Sequence, residues 1–63
     1  MTYEEIMDLF DRQMNIVDMK LAISFSRYAV ARDETIAYFS KQTGIPASHF
    51  EDRLTEQMVK ELV

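Results

Sequence analysis

The only glycine and the only proline of this 63-residue chain stand on either side of Ile45, as Gly44 and Pro46. Glycine and proline are the strongest local interruptions of regular structure, so the sequence marks one sharp corner and few others. No alternation of apolar and polar residues lasts long enough to predict a strand. We therefore predict an all-α protein, a small bundle of three to four helices with a corner at residues 44–46.

The length of 63 residues predicts a single domain over residues 1–63. A chain this short buries only about 60% of the surface that its unfolded form exposes, so its fold needs reinforcement. The sequence has no Cys and one His, and we expect no disulfide, no metal site and no other cofactor. Self-association remains, and the hydrophobic content of 48% favours it. We expect a homodimer.

The start of the first helix is marked by a capping box, in which Thr2 caps the backbone N–H of Glu5 and the Glu5 carboxylate reaches back to the N–H of Thr2. Apolar residues then recur every three or four positions from Ile6 to Tyr28. One helix over residues 3–31 would be about 43 Å long, more than the remaining residues of one chain can cover.

Two arrangements of this first half are open. The helix breaks near residues 15–18, with Asp18 as the cap of a second helix, or it is continuous and a second copy covers it. The break is the preferred arrangement. Further along, Asp33 is the expected N-cap of a third helix and Gly44 its stop signal. The predicted helices are at about residues 3–15, 18–31, 34–43 and 48–62.

Residues 19–31 predict the place of dimerisation. Their polar side chains are confined largely to Lys20, Ser24 and Arg27, which lie on one stripe of a helix. A helix that is apolar around most of its circumference is normally surrounded by other helices, and one short chain supplies too few of them. The residues expected in the dimer interface are Leu21, Ile23, Phe25 and Tyr28.

The corner resembles the helix-turn-helix of bacterial and phage regulators over residues 36–55. The residues that carry the resemblance are Ser40, Gly44, Ile45, Phe50 and Leu54. In that motif a small residue lets two helices cross closely, glycine makes the turn, and apolar residues hold the second helix against the first. The resemblance implies a transcription regulator that binds DNA as a homodimer. Such a small regulator is also compatible with a phage or mobile-element origin.

The resemblance also implies which residues face DNA. The groove-facing residues of the second helix are Ala47, Ser48, Glu51, Asp52 and Thr55, and the flanking candidates are Lys41, Gln42, His49 and Arg53. The groove-facing set contains none of the Arg, Lys, Asn or Gln side chains that make the strong pairings with bases. Its two carboxylates are repelled by phosphate.

The charge balance supports an alternative of a different class. Eleven acidic side chains against seven basic ones give a net charge of −4, whereas non-specific attraction to nucleic acid depends on Lys and Arg. The alternative is an acidic helical protein that masks a regulatory protein, as an inhibitor or anti-repressor, and does not bind DNA. We keep both hypotheses.

Other functions are not expected. One His without a Cys or a Gly-rich loop offers no catalytic arrangement, so we predict neither an enzyme nor a small-molecule substrate. The helical spacing of Glu4, Asp8 and Asp11 predicts a solvent-exposed acidic face rather than a cation site. The acidic N-terminus and the lack of a long apolar run predict a cytoplasmic protein without a signal peptide or a membrane partner.

Overall fold

Three helices make up the fold, which is a computed structural model that describes residues 1–62 and the side chains of residues 1–60. They are α1 (Tyr3–Leu21), α2 (Phe25–Thr43) and α3 (Ala47–Leu62), and they pack on one another with no strand among the described residues. The all-helical prediction is confirmed, with three helices rather than four. Within residues 1–62, no helix combines the length and the apolarity needed to cross a membrane.

Helix α1 begins at the predicted cap. The Thr2 backbone is extended, and its hydroxyl oxygen accepts a hydrogen bond of 3.2 Å from the backbone N–H of Glu5. The Thr2 hydroxyl in turn donates to Glu5 Oε1 at 3.1 Å. The second half of the predicted capping box therefore differs, because the Glu5 carboxylate binds the Thr2 hydroxyl instead of the Thr2 backbone N–H.

The predicted break at residues 15–18 is wrong, because α1 continues through them to Leu21. Met14 and Val17 are both buried, so the apolar stripe of α1 stays on the core through this segment. Asp18 therefore lies inside the helix and does not cap a new one.

The chain instead turns at residues 22–24. Ser24 is extended, with φ −135° and ψ 99°, and its N–H donates to the carbonyl of Leu21 at 3.1 Å. This turn divides the predicted helix 18–31 between α1 and α2, so that segment does not form a surrounded central helix. The reversal lets α2 lie against α1, which buries Ile36.

Helix α2 is also longer than predicted. Asp33 was expected to cap a helix at residue 34, but it lies in the interior of α2, exposed and 3.4 Å from Arg32. No Gly or Pro interrupts residues 25–43. Because every backbone N–H in the middle of this stretch can find a helical carbonyl, Asp33 has no free backbone group to cap.

The corner between α2 and α3 is the sharpest feature of the backbone. Gly44 adopts the left-handed conformation (φ 76°), and its N–H donates to the Ser40 carbonyl at 2.9 Å. The Ser40 hydroxyl donates to the carbonyl of Ile45 at 2.7 Å. The predicted stop at Gly44 is confirmed. Helix α3 begins at Ala47, one residue before the predicted start, and the His49 N–H donates to the Pro46 carbonyl at 3.0 Å.

The core is small and is centred on three rings. Phe10 packs 5.5 Å from Phe39 and 4.9 Å from Phe50, between ring centroids. The fully or nearly buried side chains are Met7, Phe10, Met14, Val17, Ile36 and Phe50. Such a core leaves large apolar side chains on the surface. The spacing of the sequence predicts that Phe50, Leu54, Met58 and Leu62 share one face of the last helix, and on that face Met58 is 63% exposed. The side chain of Leu62, expected on the same face, lies outside the described residues.

Candidate functional site

An ion pair joins α1 and α3 at the surface that contains the predicted site residues of α3. Arg53 Nη2 donates to Asp11 Oδ2 at 2.8 Å and Arg53 Nε donates to the same oxygen at 3.1 Å, while Asp8 Oδ1 lies 3.5 Å from Nη2. The Arg53 and Asp11 side chains are mostly covered, at 20% and 24% exposed. The hydrogen bonds to Asp11 raise the pKa of the Arg53 guanidinium. The guanidinium of Arg53 is therefore bound by carboxylates of α1.

A cleft of about 240 Å³ surrounds this ion pair, between the N-terminal turns of α1 and α3. We call it the acidic cleft, and its lining residues are Tyr3, Glu4, Met7, His49, Asp52, Arg53 and Glu56. Together with Asp8 and Asp11, five carboxylates lie around one guanidinium. The cleft therefore carries a strong excess of negative charge.

The edge of the acidic cleft is formed by Tyr3 and His49. The Tyr3 hydroxyl and His49 Nδ1 share a hydrogen bond of 3.2 Å, and the two rings meet edge to face with centroids 6.0 Å apart. His49 is thereby held against α1. Both side chains are exposed.

The predicted site residues fall into two groups. The acidic cleft contains His49, Asp52 and Arg53. The others lie outside it and are exposed on α3 or at the end of α2: Lys41, Gln42, Ala47, Ser48, Glu51 and Thr55. The Thr55 hydroxyl donates to the Glu51 carbonyl at 3.1 Å. Every residue predicted to face DNA or a partner is exposed except Arg53, and these residues together carry little positive charge.

The acidic face predicted on α1 is only partly exposed. Glu4 and Asp8 are exposed, but Asp11 is mostly covered because it binds Arg53. The expectation of a solvent-exposed face is therefore wrong for Asp11. A charge argument could have found this contact, since an acidic row on one helix and a lone arginine on another attract each other, but the sequence alone does not bring α1 and α3 together.

A second concave surface lies beside the residues predicted to dimerise. This apolar groove, of about 620 Å³, is lined by Met14, Asp18, Phe25, Tyr28, Leu54 and Met58, among others. Burial raises the pKa of the Tyr28 phenol, and the neighbouring Asp18 carboxylate raises it further. Of the predicted interface residues, Ile23 is fully exposed and Phe25 is 81% exposed, whereas Leu21 and Tyr28 are partly buried.

Comparison with known proteins gives no match: no family model, no curated protein and no solved structure is similar to this chain at a significant level. The surfaces of the molecule are therefore the basis for a functional proposal.

Proposed function

We propose that this chain is a small regulatory protein that binds a basic surface of a partner protein through its acidic cleft, and so acts as an inhibitor or anti-repressor. The observation that carries the proposal is the position of Arg53. Its guanidinium is bound by Asp11 and Asp8, so the one cation of the cleft is neutralised internally. Glu4, Asp52 and Glu56 then present their charge outward.

Electrostatic complementarity supports a basic protein surface as the partner. Charges of one sign lining a concave surface focus the field and accelerate the encounter with a partner of opposite sign. The three outward carboxylates, Glu4, Asp52 and Glu56, are exposed on two helices held at fixed separation by the ion pair. A rigid group of carboxylates suits the lysines and arginines with which a regulator binds nucleic acid.

The same charges disfavour nucleic acid as the ligand. Phosphate contacts require Lys or Arg, and each contact strengthens binding by releasing counterions from the nucleic acid. Near the corner the exposed cation is Lys41, and the exposed carboxylates Glu51, Asp52 and Glu56 lie on α3. A DNA backbone that approached α3 would be repelled on most of its contact surface.

Capture of the partner from a lysate, with and without nuclease, tests the proposal. The bait is the full chain, compared with Asp52→Asn/Glu56→Gln in the cleft and with Asp33→Asn/Glu34→Gln on α2. Both variants remove two exposed carboxylates, so they change the net charge equally. We expect one stoichiometric protein that survives nuclease, is lost with the cleft variant and is kept by the α2 variant. Equal capture by all three baits, or capture that nuclease abolishes, would overturn the proposal.

A second candidate, DNA binding as a homodimer, is favoured by the geometry of the corner. Left-handed Gly44, the hydrogen bond from Ser40 to Ile45 and the buried Phe50 are the features that the helix-turn-helix resemblance requires for packing. They support the resemblance in backbone and core. They carry no preference for a base or a phosphate, which is why this candidate ranks second.

Fluorescence anisotropy with short random-sequence duplex DNA at low salt separates the two candidates. The DNA candidate requires binding that weakens steeply with salt and with Lys41→Ala, and that strengthens in Glu51→Ala/Asp52→Ala. The protein-binding candidate requires no binding by the wild-type chain. Binding with these properties would place the second candidate first.

A further inference from the structure

The turn between α1 and α2 presents the most exposed large apolar side chains that the structure describes. Met19 is 84% exposed, Ile23 100% and Phe25 81%. We call these three residues the apolar turn. The exposed cations Lys20 and Arg27 flank it. A contiguous apolar surface with a charged border is typical of a protein contact and is costly to leave in water.

The apolar groove lies directly beside the apolar turn, and the two share Phe25. Met14 and Leu54 belong to its lining, and Met58, 63% exposed, forms part of its apolar wall. The lining also contains the charged side chains of Asp11, Asp18 and Arg32, of which only Asp18, close to Tyr28, is exposed. The apolar turn with its flanking cations therefore adjoins, at Phe25, a groove that has apolar walls and the exposed carboxylate of Asp18.

We propose that a second copy of this chain covers this patch, with the apolar turn of each copy entering the apolar groove of the other about a twofold axis. A twofold interface must be self-complementary, because the same patch contacts itself. Here Ile23 and Phe25 fit the apolar groove, and Lys20 and Arg27 of one copy meet Asp18 of the other. A uniformly basic partner would be repelled by Lys20 and Arg27, and a uniformly acidic one by Asp18.

The extent of the patch also suits a dimer. A stable interface covers about 800 Å² on each partner, and one buried aromatic side chain accounts for about 150–250 Å². The three residues of the apolar turn, with the groove walls that they would meet, reach this order of area. The apolar turn is at the C-terminal end of α1, and the groove extends from there to Asp11 in the middle of the helix. The acidic cleft is at the N-terminal end of α1 and shares no lining residue with the groove, so the proposed dimer leaves the cleft residues uncovered. This inference does not depend on the proposed function.

Sedimentation equilibrium of the full chain tests the dimer. Ile23→Lys places a charge on a fully exposed side chain, and Leu9→Lys introduces the same charge on α1 at a side chain that is 41% exposed and does not line the groove. We expect a dimer at micromolar concentration whose dissociation constant rises at least roughly tenfold in Ile23→Lys and is unchanged in Leu9→Lys. A wild-type monomer at these concentrations, or equal effects of the two variants, would overturn the proposal.

Charge reversal provides a second test in the same assay. Lys20→Glu and Asp18→Lys each place like charges across the proposed interface, so each weakens the dimer. The double variant restores opposite charges across the interface, and we expect its dissociation constant to return toward the wild-type value. Additive weakening in the double variant would contradict the contact between Lys20 and Asp18.

Discussion

The ion pair of Arg53 reduces the positive charge on the surface of α3. As a residue of a recognition helix it would be the natural contact to phosphate, but its guanidinium lies 2.8 Å from Asp11 on α1. The same side chain therefore has a structural role and removes a cation from the surface. The contact joins residues 42 positions apart, and it reduces the positive charge that α3 can offer to a ligand.

Arg53→Met tests the structural role. The substitution keeps the apolar stem and removes the donors, which leaves the mostly covered Asp11 carboxylate without its partner. We expect a loss of about 1–2 kcal/mol in the free energy of unfolding, measured by urea denaturation. Arg12→Met, at an exposed position of α1, is the control and should change the free energy little. Equal stability of the two variants would contradict the role of the ion pair.

Tyr28 gives the stability a dependence on alkaline pH. Burial raises its pKa above the ordinary value of 10.0 in the folded chain. The preference for the neutral phenol therefore stabilises the fold below about pH 10 and is lost as the pH rises through the raised pKa. We expect urea denaturation to show a larger loss of stability above about pH 10 in the wild type than in Tyr28→Phe. The same loss in both would show that Tyr28 does not contribute.

The corner between α2 and α3 depends on the left-handed backbone conformation of Gly44. An added Cβ would meet no atom within 4 Å, so the cost of a side chain there is conformational and not steric. Gly44→Ala should lower the free energy of unfolding by about 1 kcal/mol, because the left-handed conformation disfavours alanine. Gly44→Asn should lose less, since asparagine tolerates this conformation. If thermal denaturation places both variants at the wild-type midpoint, the corner does not hold the left-handed turn.

The N-termini of α1 and α2 provide a matched pair. Thr2 accepts a hydrogen bond from the backbone of Glu5, whereas Ser24 is extended at the start of α2 and its side chain makes no capping hydrogen bond. Thr2→Ala should therefore cost about 1 kcal/mol, and Ser24→Ala much less. Circular dichroism during urea denaturation measures both. A larger loss in Ser24→Ala would contradict the described start of α2.

Local chemistry explains which elements the sequence could predict. The Thr2 cap and the Gly44 stop are determined by residues within one turn of the helix end, and both were predicted correctly. The reversal at residues 22–24 has no glycine or proline, and it occurs where α2 can cover Met14 and Val17. That cause lies in packing between distant segments, which spacing along the chain does not reveal.

The sequence predicts the exposed residues of the candidate site but not the cleft that some of them line. The exposed residues of α3 follow from the helical spacing after Gly44, and the structure describes them as exposed. The acidic cleft could not be predicted, because it requires Tyr3 and Glu4 of α1 to lie beside His49 and Asp52 of α3.

The core of the molecule is small, and large apolar side chains lie on its surface. Six buried apolar side chains form the core, while those of the apolar turn remain in water in one copy. If a second copy covers them, mass action stabilises the folded dimer as concentration rises. We expect the thermal midpoint to rise with protein concentration in the wild type and to rise less in Ile23→Lys over the same range. A constant wild-type midpoint over a wide concentration range would oppose the dimer.

The two proposed surfaces lie at opposite ends of α1 and differ in charge and in apolar content. The N-terminal ends of α1 and α3 carry the carboxylates of the acidic cleft, and the opposite end carries the apolar turn with Lys20 and Arg27. The exposed cations Lys20 and Arg27 thus lie away from the cleft, and the guanidinium of Arg53 within it is bound by Asp8 and Asp11. Association through one end and partner binding at the other are compatible.

The salt dependence of binding to the captured partner protein tests whether the acidic cleft is the binding surface. Titration calorimetry over a range of NaCl concentrations should show affinity that falls as salt rises, because screening weakens contacts between opposite charges. Asp52→Asn/Glu56→Gln should bind more weakly and with a smaller dependence on salt, while Asp33→Asn/Glu34→Gln should match the wild type. Affinity that does not change with salt, or that the two variants lower equally, would contradict the acidic cleft as the binding surface.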